Sequence, residues 1–162
     1  MMPGSADQGS ARGLFAQARR ELAGRPQQRL GERRRSRGLF GFGAAPKIVP
    51  VGQAWRLGVF LLTADAVFAV GEVVRSRREV IRGYTAQASR ERAAVAAAAF
   101  RGGFAEGETL HLGWSELDLA AVDAGGESGP LSRRDDIVWV RWSAQGAGRG
   151  LGAYLAEQLS LL

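Results

Sequence analysis

The side chain best suited to acid–base chemistry near neutral pH occurs once in this sequence, as His111. Imidazole titrates close to neutrality and can serve as a general base. His111 lies between Leu110 and Leu112 in a segment with strand character, so its side chain points to the opposite face from both leucines. Two interpretations stay open: a catalytic base, and a solvent-facing strand histidine without a chemical role.

Neighbouring carboxylates are a second source of chemistry, because two acids in different environments can divide the roles of acid and base. Three such pairs fall in expected loops or strand ends: Glu106 with Glu108, Glu116 with Asp118, and Asp135 with Asp136. This placement favours solvated turn residues. The chain has no cysteine, and no cluster of His, Asp and Glu has the spacing of metal ligands, so we expect no metal site and no cofactor.

The strongest charge feature is a run of arginines, Arg33, Arg34, Arg35 and Arg37, interrupted only by Ser36. Guanidinium groups bind phosphate through paired hydrogen bonds and release counterions from a polyanion. Four more arginines precede the run: Arg19, Arg20, Arg25 and Arg29. Two interpretations stay open: a merely solvated arm, which the lack of a sequence-reading motif favours, and an anion-binding arm for nucleic acid or another polyanion.

A glycine-rich segment near the end of the chain has the pattern Q-x-x-G-x-G, formed by Gln145, Gly148 and Gly150. Backbone amides of a loop that opens a helix can hold phosphate. The pattern resembles the coenzyme-A pyrophosphate loop of the N-acetyltransferase superfamily, which implies anion binding by Gly148, Arg149 and Gly150. That superfamily has further strands and a helix beyond this loop, whereas twelve residues follow Gly150. A glycine-rich turn fits better, with an acyltransferase remnant as the alternative.

The stretch from Ile48 to Leu162 resembles a small family of actinobacterial proteins without an assigned activity. The resemblance rests on IVPVGQAWRLGVFLLT, IRGYTAQASRERAA, RGGFAEGETLHLGW, SGPL at 128–131 and WVRWSA at 139–144. Some members are labelled glutaminase, which implies an amidohydrolase. Serine-dependent glutaminases use a Ser-x-x-Lys nucleophile, which is absent here because the only lysine, Lys47, has Ala44 three residues before it. No active-site residue is therefore carried over.

Length and composition are those of one globular domain, with 162 residues of which 46% are hydrophobic and 23% charged. The net charge is +6, but residues 1–50 carry ten basic and three acidic side chains, and residues 104–162 carry four and nine. No secretory signal pattern opens the chain, and the longest apolar stretch, Leu57–Val70, is interrupted by Asp65. We therefore expect a cytoplasmic protein without a membrane span.

Helical patterns occur four times. Ser10 can cap a helix over Ala11–Ala23, and the short segment Gln27–Arg37 after Pro26 predicts a second helix. Ala86–Arg101 is rich in alanine, the best helix former, and Leu151–Leu159 has an apolar face.

Strand patterns also occur four times. Trp55–Leu62 and Val67–Val74 are apolar and flank the polar turn TADA, which predicts a hairpin. Thr109–Trp114 is a short strand. The segment IVWVRW at 137–142 alternates, and we place Trp139 in the core.

These patterns predict an α+β fold. We expect a basic arm over residues 1–46, partly helical and partly disordered, and one domain over residues 47–162. In that domain about four antiparallel strands are packed by the long helix and the C-terminal helix. The best-fitting function is a non-catalytic binding or interaction protein with a basic surface, to which Arg75, Arg77 and Arg78 add charge. A protein partner, a small amidohydrolase and a coenzyme-A-dependent acyltransferase remnant stay open.

Overall fold

The computed structural model describes residues 9–35, 45–80, 83 and 86–162. Four helices lie among them: α1 (Ala11–Leu22), α2 (Gln87–Arg101), α3 (Leu119–Asp123) and α4 (Leu151–Ser160). Eleven strands accompany these helices: β1 (Gln28–Arg34), β2 (Lys47–Leu57), β3 (Phe60–Leu62), β4 (Val67–Ala69), β5 (Glu72–Arg75), β6 (Thr109–Leu112), β7 (Ser115–Glu116), β8 (Glu127–Ser128), β9 (Leu131–Arg134), β10 (Ile137–Arg141) and β11 (Gly148–Gly150). The predicted α+β class is confirmed, but the described residues form many more strands than four.

The chain divides into two compact units. Unit 1 comprises Met1–Pro26, Trp55–Ala69 and Ser115–Leu162, and unit 2 comprises Gln27–Ala54 and Val70–Trp114. The predicted boundary after residue 46 falls inside the first segment of unit 2. Strand β2 begins in unit 2 and ends in unit 1.

Unit 1 contains antiparallel strands in two orders, β2-β3-β4-β7 and β11-β10-β9-β8. The second of these is a four-stranded antiparallel sheet, and the sequence predicted only its strand β10. The core of unit 1 includes Phe15, Phe60 and Tyr154. The rings of Phe15 and Phe60 meet edge to face with centroids 5.0 Å apart, which adds to the stabilisation from burial.

Helix α1 begins where the sequence predicts. Ser10 Oγ accepts a hydrogen bond from the Gly13 amide at 3.0 Å, and Asp123 Oδ1 accepts one from the Ala11 amide at 2.6 Å. Amides at a helix start lack partners within the helix and favour a negative charge. The side chain of Asp123 therefore ties the end of α3 to the start of α1.

The predicted hairpin around TADA is confirmed at its turn, where β3 pairs with β4. The predicted first strand, Trp55–Leu62, is wrong as one strand. Gly58 and Val59 reverse the chain inside it, so that the end of β2 pairs with β3. Gly58 has a φ of 60°, a conformation that favours glycine. The Tyr154 hydroxyl accepts a hydrogen bond from the Val59 amide at 3.0 Å and fixes this turn.

Unit 2 contains a mixed sheet with strand order β5-β6-β1-β2. Strand β1 runs parallel to β6 and antiparallel to β2. The predicted Ala86–Arg101 helix is confirmed as α2, and its buried residues are the small Ala97, Ala98 and Ala99. They pack in a cluster with larger side chains from the strands and the loop after α2: Ile48, Val74, Phe104, Leu110 and Leu112.

The predicted helix over Gln27–Arg37 is wrong, because strand β1 occupies most of that segment. Its glutamine, glutamate and arginine residues are good helix formers, but they give a helix no apolar face, whereas a strand gains partners on both sides. The pairing with β2 shifts register just before Gly31. A Cβ atom on Gly31 would lie 2.8 Å from Leu110 Cδ1 and 2.9 Å from Ile48 Cγ2. The missing side chain therefore lets β1 lie directly over this core.

Gly31→Ala is expected to destabilise the protein by about 1–3 kcal/mol, because the added methyl group overpacks a filled core. Gly52→Ala is the matched control, since Gly52 also lies in the β1–β2 pair and an added Cβ would be 3.8 Å from its nearest neighbour. Chemical denaturation followed by circular dichroism measures both variants. Equal stability of the two would contradict the close approach at Gly31.

Candidate functional site

The arginine run lies at the end of β1, beside the start of β2. Arg34 pairs directly with Lys47 across the two strands, and Arg33 pairs with Ile48. Opposed residues of antiparallel strands have Cβ atoms about 4.5–5.5 Å apart, and like charges in such positions repel each other. Arg33, Arg34, Arg35 and Lys47 are all exposed. The sheet therefore holds two cations side by side at its surface.

Helix α2 brings one more cation to the same place. Arg101, the last residue of α2, donates from Nη2 to the carbonyl oxygen of Pro46 at 3.1 Å, and Pro46 directly precedes Lys47. We refer to the five cationic residues as the basic end of unit 2: Arg33, Arg34, Arg35, Lys47 and Arg101.

Three carboxylates neutralise part of the basic end. Each pairs with one arginine: Glu72 with Arg33 at 3.0 Å, Glu32 with Arg34 at 3.5 Å, and Glu79 with Arg101 at 3.6 Å. Exposed ion pairs of this kind contribute only about 0–1 kcal/mol. Arg35 and Lys47 have no carboxylate within 4 Å in the part of the chain that the structure describes. The basic end thus keeps an excess of positive charge.

The two units differ in charge. By sequence, unit 2 holds thirteen basic and six acidic side chains, a net charge of +7, whereas unit 1 holds nine and ten, a net charge of −1. The basic end therefore lies in the unit that carries the positive charge of the whole chain, and the field of that unit favours anions.

The other arginines of the predicted arm and basic surface are more dispersed. Arg37 lies outside the described residues, and Arg19, Arg20 and Arg25 belong to unit 1. Four others belong to unit 2: Arg29, which pairs with Glu108 at 3.5 Å; Arg78, which lies over the Phe100 ring at 5.3 Å; and the exposed Arg75 and Arg77. Within unit 2, the structure thus brings Arg33, Arg34 and Arg35 together with Lys47.

His111 is fully buried, so the expectation that a histidine without a chemical role would face solvent is wrong. It lies on β6, paired with Leu30 of β1 and Val73 of β5. His111 Nε2 lies 2.5 Å from Gln28 Oε1, which requires a proton on Nε2 because the amide oxygen can only accept. The imidazole is thus buried, and Gln28 of the neighbouring strand β1 is a polar partner for it.

Gly148–Gly150 form strand β11, so the predicted loop conformation is wrong there. These residues pair with β10, and a Cβ atom on Gly148 would collide with the Trp139 indole. Arg149 Nη1 forms an ion pair with Glu157 at 2.6 Å. The segment belongs to unit 1, whereas the arginine run belongs to unit 2. Gly148 thus packs against the Trp139 indole, and Arg149 pairs with a carboxylate instead of extending from a phosphate loop.

Unit 1 has an open cleft of about 600 Å³ beside α1, the TADA turn and the start of α3. Its charged lining consists of two arginines and three carboxylates: Arg12, Arg19, Asp65, Glu116 and Asp118. Arg19 donates to the carbonyl oxygens of Thr63 and Ala66 at 2.7 and 3.0 Å, and its burial lowers the pKa of the guanidinium. Asp118 Oδ1 accepts from the Ala121 amide at 2.9 Å. Both groups therefore stabilise local structure.

Sequence reasoning missed Lys47 and Arg101 as members of the basic end. Lys47 opens an expected strand and Arg101 closes an expected helix, and neither position carries a local signal of closeness to Arg34. The assignment of β1 as a helix removed the one signal available, because only a strand at 28–34 pairs Arg34 with Lys47.

Comparison with protein-family models, with curated proteins and with solved structures gives no match to this chain. The likenesses to the actinobacterial family and to the N-acetyltransferases therefore stay predictions. Within the described ranges, no helix is long and apolar enough to cross a membrane. In those same ranges, no three His, Asp or Glu side chains are grouped so that they could hold a metal ion.

Gln28→Leu is expected to destabilise the protein by about 1–3 kcal/mol, because it removes the acceptor for a buried imidazole N–H. The double variant Gln28→Leu/His111→Leu is expected to cost less than the sum of the two single variants, since an apolar pair needs no hydrogen bond. Thermal and chemical denaturation give the coupling free energy between the two positions. Gln53→Leu, at an exposed position of β2, is the control. Strictly additive costs would show that the contact does not hold β1 against β6.

Proposed function

We propose that this protein is a non-catalytic binding protein whose basic end takes up a polyanion, nucleic acid in the first place. The observation that carries the proposal is the direct pairing of Arg34 with Lys47 at an exposed end of the β1–β2 pair. Opposed cations cost free energy in a sheet, and a bound phosphate group relieves that cost.

The side chains of the basic end suit phosphate chemically. Guanidinium groups donate two parallel hydrogen bonds to phosphate oxygens, and an ammonium group adds a compact positive charge. Glu32 offsets Arg34 alone, at 3.5 Å, so Lys47 and Arg35 are available to a ligand. An anion that bridges these cations supplies the missing negative charge.

The strand conformation of β1 suits a long anion better than a single phosphate. Successive residues of a strand rise about 3.3 Å, so Arg33 and Arg34 at the end of β1, followed directly by Arg35, spread their charges along the chain. Cations repeated at this spacing can follow a chain of phosphates, and each phosphate that is neutralised releases counterions.

No contact in the described residues favours a catalytic alternative. An amidohydrolase would depend on His111, which is fully buried and bound to Gln28. A coenzyme-A-dependent transferase would depend on the 145–150 segment, whose last three residues pair in β11. The binding function needs only surface groups, and the basic end supplies them.

Replacing Arg34, Arg35 and Lys47 together by glutamine is expected to weaken binding of a short DNA duplex at low salt. Each lost phosphate contact lowers the slope of log K against log salt by about 0.9, so the slope is expected to fall by up to roughly three. Fluorescence anisotropy over a range of salt concentrations measures both quantities.

The matched control replaces Arg20, Arg25 and Arg56 by glutamine, which removes the same charge from exposed positions of unit 1. It is expected to change affinity much less than the first variant. Equal losses in both variants would mean that net charge alone governs binding, and absence of binding by the unsubstituted protein would refute the proposal.

A further inference from the structure

The outer side of the β9–β10–β11 sheet in unit 1 carries an aromatic ring among cations. Along β10, Val138 and Val140 are buried, whereas Ile137, Trp139 and Arg141 point to the opposite side. Ile137 is 58% exposed. The prediction that Trp139 lies in the core is therefore wrong, because the alternation of β10 places the two valines there instead.

Glycines of β11 leave this side of the sheet flat next to Trp139. Gly150 and Gly148 pair with Trp139 and Arg141, so they share a face with these residues but add no side chain. A Cβ atom on Gly148 would overlap the indole nitrogen of Trp139. The nitrogen-bearing edge of the indole therefore lies next to the backbone of β11.

Arg134 of β9 lies over this ring, with its guanidinium carbon 4.8 Å from the ring centre. Within the described ranges neither Arg134 nor Arg141 has a carboxylate within 4 Å. Asp135 and Asp136 form the turn between β9 and β10, beyond Ile137. The two aspartates thus lie at the start of β10, next to Arg134, and Arg141 lies at its end. We define the Trp139 face as Arg134, Ile137, Trp139 and Arg141.

We propose that the Trp139 face binds the bases and phosphates of single-stranded nucleic acid, an inference that rests on the proposed polyanion-binding function. The guanidinium of Arg134 lies over the Trp139 ring, and a base of any identity can stack on this planar cation while Arg141 holds a neighbouring phosphate. Bases in a duplex are already stacked on each other, so this face selects single strands.

Charge complementarity identifies the occupant. The Trp139 face carries Arg134 and Arg141, neither of which has a carboxylate within 4 Å among the described residues, beside an exposed apolar side chain and a glycine strand. A nucleic acid strand supplies an apolar ring and an anion in each repeat, which matches this alternation. The Trp139 face is therefore expected to prefer unpaired bases by itself.

The test compares three probes: an oligothymidylate of about twelve nucleotides, a duplex of similar charge, and inorganic polyphosphate. The unsubstituted protein is expected to bind the oligothymidylate most tightly and to lose tryptophan fluorescence as it does so. Arg134→Gln/Arg141→Gln is expected to weaken oligothymidylate binding about tenfold, roughly the loss of one stacked base, with polyphosphate binding changed less than twofold.

Two further variants keep the result interpretable. Trp139→Phe preserves a ring over Gly148 and is expected to reduce the fluorescence response and the affinity for the single strand only. Arg20→Gln/Arg56→Gln removes the same charge from unit 1 outside the Trp139 face and is expected to leave the preference intact.

The outcomes separate the two proposals. Equal affinity for the single strand and the duplex, or a parallel loss of polyphosphate binding in Arg134→Gln/Arg141→Gln, would overturn the role of the Trp139 face and leave the basic end untouched. Failure of the unsubstituted protein to bind polyphosphate and duplex would refute the basic end. Single-strand binding that persisted in that case and depended on Arg134 and Arg141 would support the Trp139 face by itself.

Discussion

The close approach of β1 to the core at Gly31 is the constraint on which unit 2 depends. A Cβ atom at Gly31 would lie 2.8 Å from Leu110 Cδ1 and 2.9 Å from Ile48 Cγ2, so a larger residue there would force these core side chains to move as β1 lies between β6 and β2. One edge of β1 then meets β6, where Gln28 contacts the buried His111. The other edge meets β2 and sets Arg34 against Lys47. The position of β1 between β6 and β2 therefore brings Gln28 to the buried histidine and sets the cations at one exposed end.

Binding on this account needs no cavity and no catalytic group. The +7 charge of unit 2 acts over a distance, and the basic end adds directional hydrogen bonds where the repulsion between cations is strongest. Unit 1 is nearly neutral overall, so any affinity for nucleic acid there comes from local arrangement. In the Trp139 face, glycines of β11 and the guanidinium of Arg134 shape the surroundings of one indole. Charge and stacking are thus supplied by different parts of the chain.

Much of the fold could be predicted from local patterns. The cap at Ser10, the alanine-rich α2, the TADA turn and α4 follow from short-range chemistry, and all are present. The errors occur where long-range pairing overrides propensity. Residues 28–34 prefer a helix by composition, and only their partners in β2 and β6 make them a strand. Gly148–Gly150 become a strand because they pair with β10. The arginine run was visible in the sequence, but Lys47 and Arg101 join it only through the sheet and the end of α2.

The most direct test of the account is a titration of the isotopically labelled protein with inorganic polyphosphate, followed by amide NMR. This probe has no bases, so it tests phosphate binding without base stacking. The account predicts that the largest shift changes fall on residues 33–35, Lys47 and Arg101, and that they diminish as salt is added. Changes concentrated on α1 or on β9–β11, with residues 33–35 and 47 unaffected, would contradict it.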